Sequence, residues 1–77
     1  MQWQIEKIIE VSKQLKRTGA TGASTSEQIA AAFVLNRADF LPDTYRDAVE
    51  AWDRLGDEWQ GFVRIIKRHH MALIESE

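Results

Sequence analysis

Apolar residues recur at three- and four-residue spacing in the first segment of the chain. Ile5, Ile8, Ile9 and Leu15 form the stripe, with Ser12 in register and Val11 at its edge. That spacing predicts an amphipathic helix from Gln2 to Arg17 with one face turned to a core. Glu6 and Glu10 come early and Lys13, Lys16 and Arg17 late, an order that complements the helix dipole. Thr18 and Gly19 end the segment, as a glycine past the last turn commonly does. Trp3 lies off the stripe, beside Lys7, Gln14 and Arg17. It either folds back onto the core from a frayed first turn, or stands out as an anchor for a partner.

The second apolar segment has a different pattern. From Ile29 to Leu35 no polar residue interrupts it. Wound as a helix it is apolar on nearly all sides, which predicts a buried helix with others wrapped around it. Ser24 with Glu27, or Thr25 with Gln28, supplies a capping box at its start. Asn36 is the expected end, because asparagine tolerates the left-handed conformation. The small-residue stretch 18–24 before it reads as a surface loop. Its two glycines lack the preceding strand and the Gly-Lys-Ser/Thr ending of a phosphate-binding loop.

Past Asn36 the chain turns through Arg37-Ala38-Asp39-Phe40-Leu41-Pro42. Phe40 and Leu41 either fold inward to cover an open end of the bundle or form an exposed patch. A third helix, capped by Asp43 or Thr44, is predicted to run to Leu55. Tyr45, Ala48, Val49, Trp52 and Leu55 make its inner face; Arg46, Glu50 and Arg54, with Glu58 extending the series, make a solvated outer one. Gly56 breaks it, and Asp57 with Gln60 restarts the chain as a fourth helix. The turn is so short that the third and fourth helices form a hairpin. The fourth is predicted from Glu58 to Ile74, with Trp59, Phe62, Val63, Ile66, His70 and Leu73 inward. The expected fold is therefore all-α: a compact four-helix bundle, one domain over 1–77, with a buried central second helix.

Composition sharpens this reading. A chain of 77 residues buries only about 60–65% of its unfolded surface. It has no cysteine, so neither disulfides nor thiolate metal sites can staple it. Added stability must come from close packing or self-association, including a homodimer. Net charge is −2, so no global basic field draws the molecule to a polyanion. The charge is uneven, however. Asp39, Asp43, Asp47, Glu50, Asp53, Asp57 and Glu58 crowd residues 37–58, while 59–77 is slightly basic. No apolar run approaches the ~18 residues of a spanning helix, and no leader pattern opens the chain. The expected location is cytoplasmic, with no membrane contact. The length and initiating methionine are in the style of a standalone bacterial or phage accessory protein.

Candidate chemistry is sparse. His69 and His70 are adjacent, so on a helix they point about 100° apart and cannot easily grip one metal. The expected arrangement is one half-buried and one solvated imidazole. Ser24 and Ser26 read as caps and Ser12 faces the core. No metal, cofactor or small-molecule substrate is expected, and a bundle this small rarely holds a catalytic pocket of ~300 Å³ or more. The expectation is a non-enzyme. Residues 26–38 superficially resemble the first helix and turn of a helix-turn-helix, but Val34 stands where a turn glycine is common. Pro42 then cuts the following segment short. A basic face of Lys13, Lys16 and Arg17 with Arg64, Lys67 and Arg68 is the other nucleic-acid candidate, although helix dipoles favour cations at those ends. The leading expectation is a small regulatory protein that binds another protein or itself, with Trp3, Phe40, Leu41 and Trp59 as contact candidates.

Overall fold

The structure, a computed structural model, describes residues 1–76. Four α-helices and two 3-10 turns make up the fold, and there is no strand among the described residues. Helix α1 spans Trp3–Thr18 and α2 spans Thr25–Leu35. The 3-10 turns Ala38–Phe40 and Asp43–Tyr45 lead into α3, Ala48–His69, and α4 is the short Met71–Glu75. The domain measures 29 × 27 × 18 Å.

Helix α2 is the centre, as its unbroken apolar run requires. It packs against α1 on one side and α3 on the other. Ile29, Ala30, Ala31, Ala32 and Val34 are buried. The three alanines let neighbouring helices come close, while Ile29 and Val34 fill the space between. Its ends form as local chemistry dictates. The Ser24 hydroxyl accepts from the Glu27 amide at 3.2 Å, and the Glu27 carboxylate accepts from the Ser24 amide at 3.0 Å. Asn36 closes the helix in the left-handed region, with φ 57°. Gly19 does the same for α1, with φ 76°. Inside α1, the fully buried Ser12 donates to the Ile8 carbonyl at 2.8 Å, which satisfies its hydroxyl within the helix.

Gly56 makes the hairpin. Its φ of 78° and ψ of 168° lie far from helical values and break α3 into arms 48–55 and 57–69. Along a straight helix, residues 52 and 64 would be about 18 Å apart. Instead the Arg64 guanidinium lies 5.4 Å from the centre of the Trp52 ring. The Gln60 amide also donates to the Trp52 carbonyl at 2.7 Å, tying the arms together. Arg54 reaches from the first arm to the Ser26 hydroxyl of α2 at 3.3 Å.

Three details differ from the sequence pattern. The third helix starts at Ala48, capped by Asp47 rather than Asp43 or Thr44. The Asp47 carboxylate accepts from both the Val49 and Glu50 amides, at 2.9 and 3.1 Å. Residues 43–45 instead make the second 3-10 turn, with the Tyr45 amide bonded to the Pro42 carbonyl. The helix is thus shorter, and its inner face is Ala51 and Leu55 with Trp52 half-buried. Val49, assigned inward by periodicity, is 71% exposed. Replacing Asp47 by alanine is expected to cost about 1 kcal/mol, because two helix-start amides lose their acceptor. A denaturant midpoint unchanged from wild type would contradict that role.

The third difference is at the end of the chain. The fourth helix breaks at His70, φ −127°, before α4 begins. The break turns Ile74 fully into the core and leaves Leu73, which periodicity placed inward, 45% exposed. The Lys16 ammonium fixes the new position by donating to the Ile74 carbonyl at 2.9 Å. The total accessible surface is 4577 Å². A folded monomer of this mass is expected to show about 4800 Å². The chain is thus as closely packed as a monomer of its size, while Trp3, Val49, Ile65 and Leu73 remain exposed.

Candidate partner groove

The open face of the molecule is at the C-terminal end of α2. Phe33 and Trp52 meet there edge to face, with ring centres 5.0 Å apart, and both are half-buried. Two shallow depressions flank this pair and share Phe33 and Asn36. One, about 250 Å³, is walled by Ala38, Leu41 and Ala48. The other, about 300 Å³, is bounded by Val63, Arg64 and Lys67. Together they form a groove with an aromatic and aliphatic floor. Among the described residues, no carboxylate, imidazole, hydroxyl or thiol lines either half.

Each wall follows from a local cause. Asn36 ends α2 in the left-handed conformation, so Arg37 leaves at an angle and opens the first depression. The Gln28 side-chain amide holds the returning chain by donating to the Phe40 carbonyl at 2.9 Å. The break at Gly56 brings the second arm of α3 past Trp52, which supplies Val63 and Arg64. The Lys67 ammonium donates to the Phe33 carbonyl and the Asn36 side-chain oxygen, covering the last turn of α2. That is a favourable place for a cation, since helix C-termini carry partial negative charge.

The cations at the groove differ in kind. Arg37 makes a two-pronged bond to Asp39, at 2.9 and 2.7 Å. That hydrogen-bonded pair raises the Arg37 guanidinium above its ordinary value and lowers the Asp39 carboxyl below its own. Arg37 also covers the Phe40 ring at 4.4 Å. Its charge is thus already matched. Arg64 and Lys67 have no carboxylate within ion-pair distance among the described residues. Arg68 lies one turn beyond Arg64 and is exposed. From Trp59 to Ile74 the chain contains no acidic residue.

The contact candidates separate sharply. Trp3 is 63% exposed, so its ring does not fold back onto the core. Leu41 is only 4% exposed, so it lies in the core and shows just an edge to the wall of the first depression. Phe40 is half-buried and packs against both groups of core side chains, covering the bundle end. Trp59 is half-buried against Phe62, with ring centres 5.7 Å apart. Trp3→Ala is expected to change stability by less than about 0.5 kcal/mol, as exposed substitutions usually do. A larger loss in thermal unfolding would mean that the ring supports the fold.

The basic residues converge only in part. Lys16 and Lys67 border different depressions that share Asn36, and that of Lys16 is also lined by Arg37, Met71, Ile74 and Glu75. Both lysines bond helix-end carbonyls. Lys13 is half-buried on α1, and Arg17 is exposed at its end. The segment from Arg37 to Leu41 contains a single 3-10 turn and no recognition helix. His69 is exposed and His70 half-buried, with ring centres 6.4 Å apart. No helix among the described residues is long and apolar enough to cross a membrane.

Sequence reasoning placed Phe33 and Trp52 in the core and missed the groove. The available signal was the carboxylate-free stretch 59–74 following the acid-rich 39–58. Comparison with known proteins adds no relative: no family model matches the chain, and no curated protein or solved structure matches it.

Proposed function

We propose that this chain is a small non-catalytic binding protein that holds a protein partner in the groove at the C-terminal end of α2. One observation carries the reading. The Phe33–Trp52 pair, central to the packing of α2 on α3, is left half open in a groove beside two cations, Arg64 and Lys67, that have no carboxylate within ion-pair distance among the described residues. Aromatic and arginine side chains in concave surfaces are the groups that most often dominate protein interfaces. The lining also supports a non-catalytic role: among the described residues it holds no carboxylate, imidazole, hydroxyl or thiol, and its one lysine, Lys67, is held against the end of α2. Trp3 stands outside the groove lining and offers a separate contact.

Site-specific photo-cross-linking in host cells tests the proposal. A photoreactive residue at Ala38, on the lip of the groove, is expected to give a discrete protein adduct. The same group at Glu10 on the outer face of α1 is expected to give none. No adduct from Ala38, or the same adducts from both positions, contradicts the groove as the binding site.

A further inference from the structure

We infer that the groove takes a short acidic segment of a partner protein, with one large apolar side chain seated on Phe33 and Trp52 and its carboxylates on Arg64 and Lys67. This rests on the groove being the binding site. Charge complementarity selects the occupant. Arg64 and Lys67 stand three residues apart on the second arm of α3, so they share one helix face. Neither has a carboxylate within ion-pair distance among the described residues. Asp39, which follows the groove residue Ala38 in sequence, is engaged by Arg37.

The depressions set the size of the anchor. At about 250 and 300 Å³ they fall at the lower limit of small-molecule pockets, and both are open to solvent. Such spaces suit a side chain presented from a backbone rather than a ligand enclosed on all sides. The guanidinium of Arg64 already lies over Trp52, which holds it beside the apolar floor. An anion reaching it would neighbour an apolar group reaching the ring.

The same charges disfavour an extended polyanion. The first arm of α3 carries Glu50 and Asp53, with Asp47 capping its start and Asp57 just past its end. A nucleic-acid backbone carries charge at every repeat, so carboxylates on the arm that bears Trp52 disfavour it. A short acidic peptide needs only a few charges. Repulsion of like charge across an interface is an effective means of excluding a wrong partner.

Fluorescence anisotropy with a labelled peptide panel tests the inference. The peptides carry Leu, Phe, Met or Trp at the centre and Asp/Glu, Asn/Gln or Lys/Arg on the flanks; a single-stranded oligonucleotide is the further probe. At least one acidic peptide is expected to bind wild-type protein more tightly than its neutral counterpart, with affinity falling as salt rises. Arg64→Glu is expected to weaken it about tenfold, from one lost attraction and one new repulsion. Ala48→Glu places a carboxylate on the opposite wall at a helix start, where the dipole favours it. It is expected to weaken the same peptide without lowering the melting temperature. Neutral or basic peptides binding as tightly, with Ala48→Glu still interfering, overturn the acidic occupant and leave the groove as the site. Oligonucleotide binding lost in Arg64→Glu, without peptide binding, overturns the inference in favour of a polyanion. No binding by any probe overturns it as well.

Discussion

Ile29→Ala is expected to remove about 4 kcal/mol of stability and to lower the melting temperature by about 15–30 °C. Ile29 has no exposed surface and lies in the centre of α2, between α1 and α3. Truncating a buried isoleucine loses its transfer free energy and leaves a cavity. The size of the second loss depends on how well the surroundings collapse. Here they collapse poorly, because the residues next in sequence are Ala30, Ala31 and Ala32, which have no side chain to swing into the space. Alanine's better helix propensity returns only about 0.4 kcal/mol. A domain this small has about 4–12 kcal/mol in total, so the loss consumes much of it. Circular dichroism through thermal and urea unfolding reads the change. A loss below about 1 kcal/mol would mean that α2 is not the centre of packing.

Gly56→Ala is expected to act through the backbone alone. Nothing lies within 4 Å of where its Cβ would stand, so no clash contributes. The conformation itself, φ 78° and ψ 168°, is one that only glycine adopts readily. Holding another residue there costs about 1–3 kcal/mol. Alanine also favours an uninterrupted helix over glycine by about 1 kcal/mol. Both effects push α3 to straighten, which would carry Phe62, Val63 and Ile66 away from α2. A second chain can supply those side chains, so exchange of the second arm between copies is the expected escape. Light scattering after chromatography is expected to show a dimer at high protein concentration and a destabilised monomer at low concentration. A monomer at all concentrations with the wild-type melting temperature contradicts the hinge.

These two positions also show what the sequence makes legible and what it does not. The burial of α2, the Ser24–Glu27 box, the ends at Gly19 and Asn36 and the break at Gly56 are all local, and each is readable within a few residues. The start of α3 is less readable because Asp43, Thr44 and Asp47 are all competent caps within five positions. The competition is decided elsewhere: Leu41 enters the core, and Arg46 donates to its carbonyl at 3.0 Å. The break at His70 has neither glycine nor proline to announce it. Burial of Ile74 accounts for it, and that is a tertiary demand.

The groove is hidden for a similar reason. Phe33 and Trp52 obey the inward periodicity of their helices, and pattern alone assigns them to a closed core. Their remaining exposure depends on the angle at which the chain leaves Asn36 and folds back at Gly56. Lys16 and Lys67 are likewise read from sequence as end-of-helix cations, but each covers an end of a helix other than its own. Arg37 paired with Asp39, against Arg64 and Lys67 with no carboxylate within ion-pair distance among the described residues, is a distinction that only the folded chain makes.

The measurement that bears most directly on this account is a backbone amide NMR titration of labelled protein with the tightest-binding acidic peptide. The account predicts shifts concentrated at Phe33, Asn36, Ala38, Ala48 and Lys67, with the Trp52 indole proton among the most affected. Shifts centred on Trp3 and the start of α1, with the groove unchanged, would contradict it and move the binding surface to the exposed Trp3.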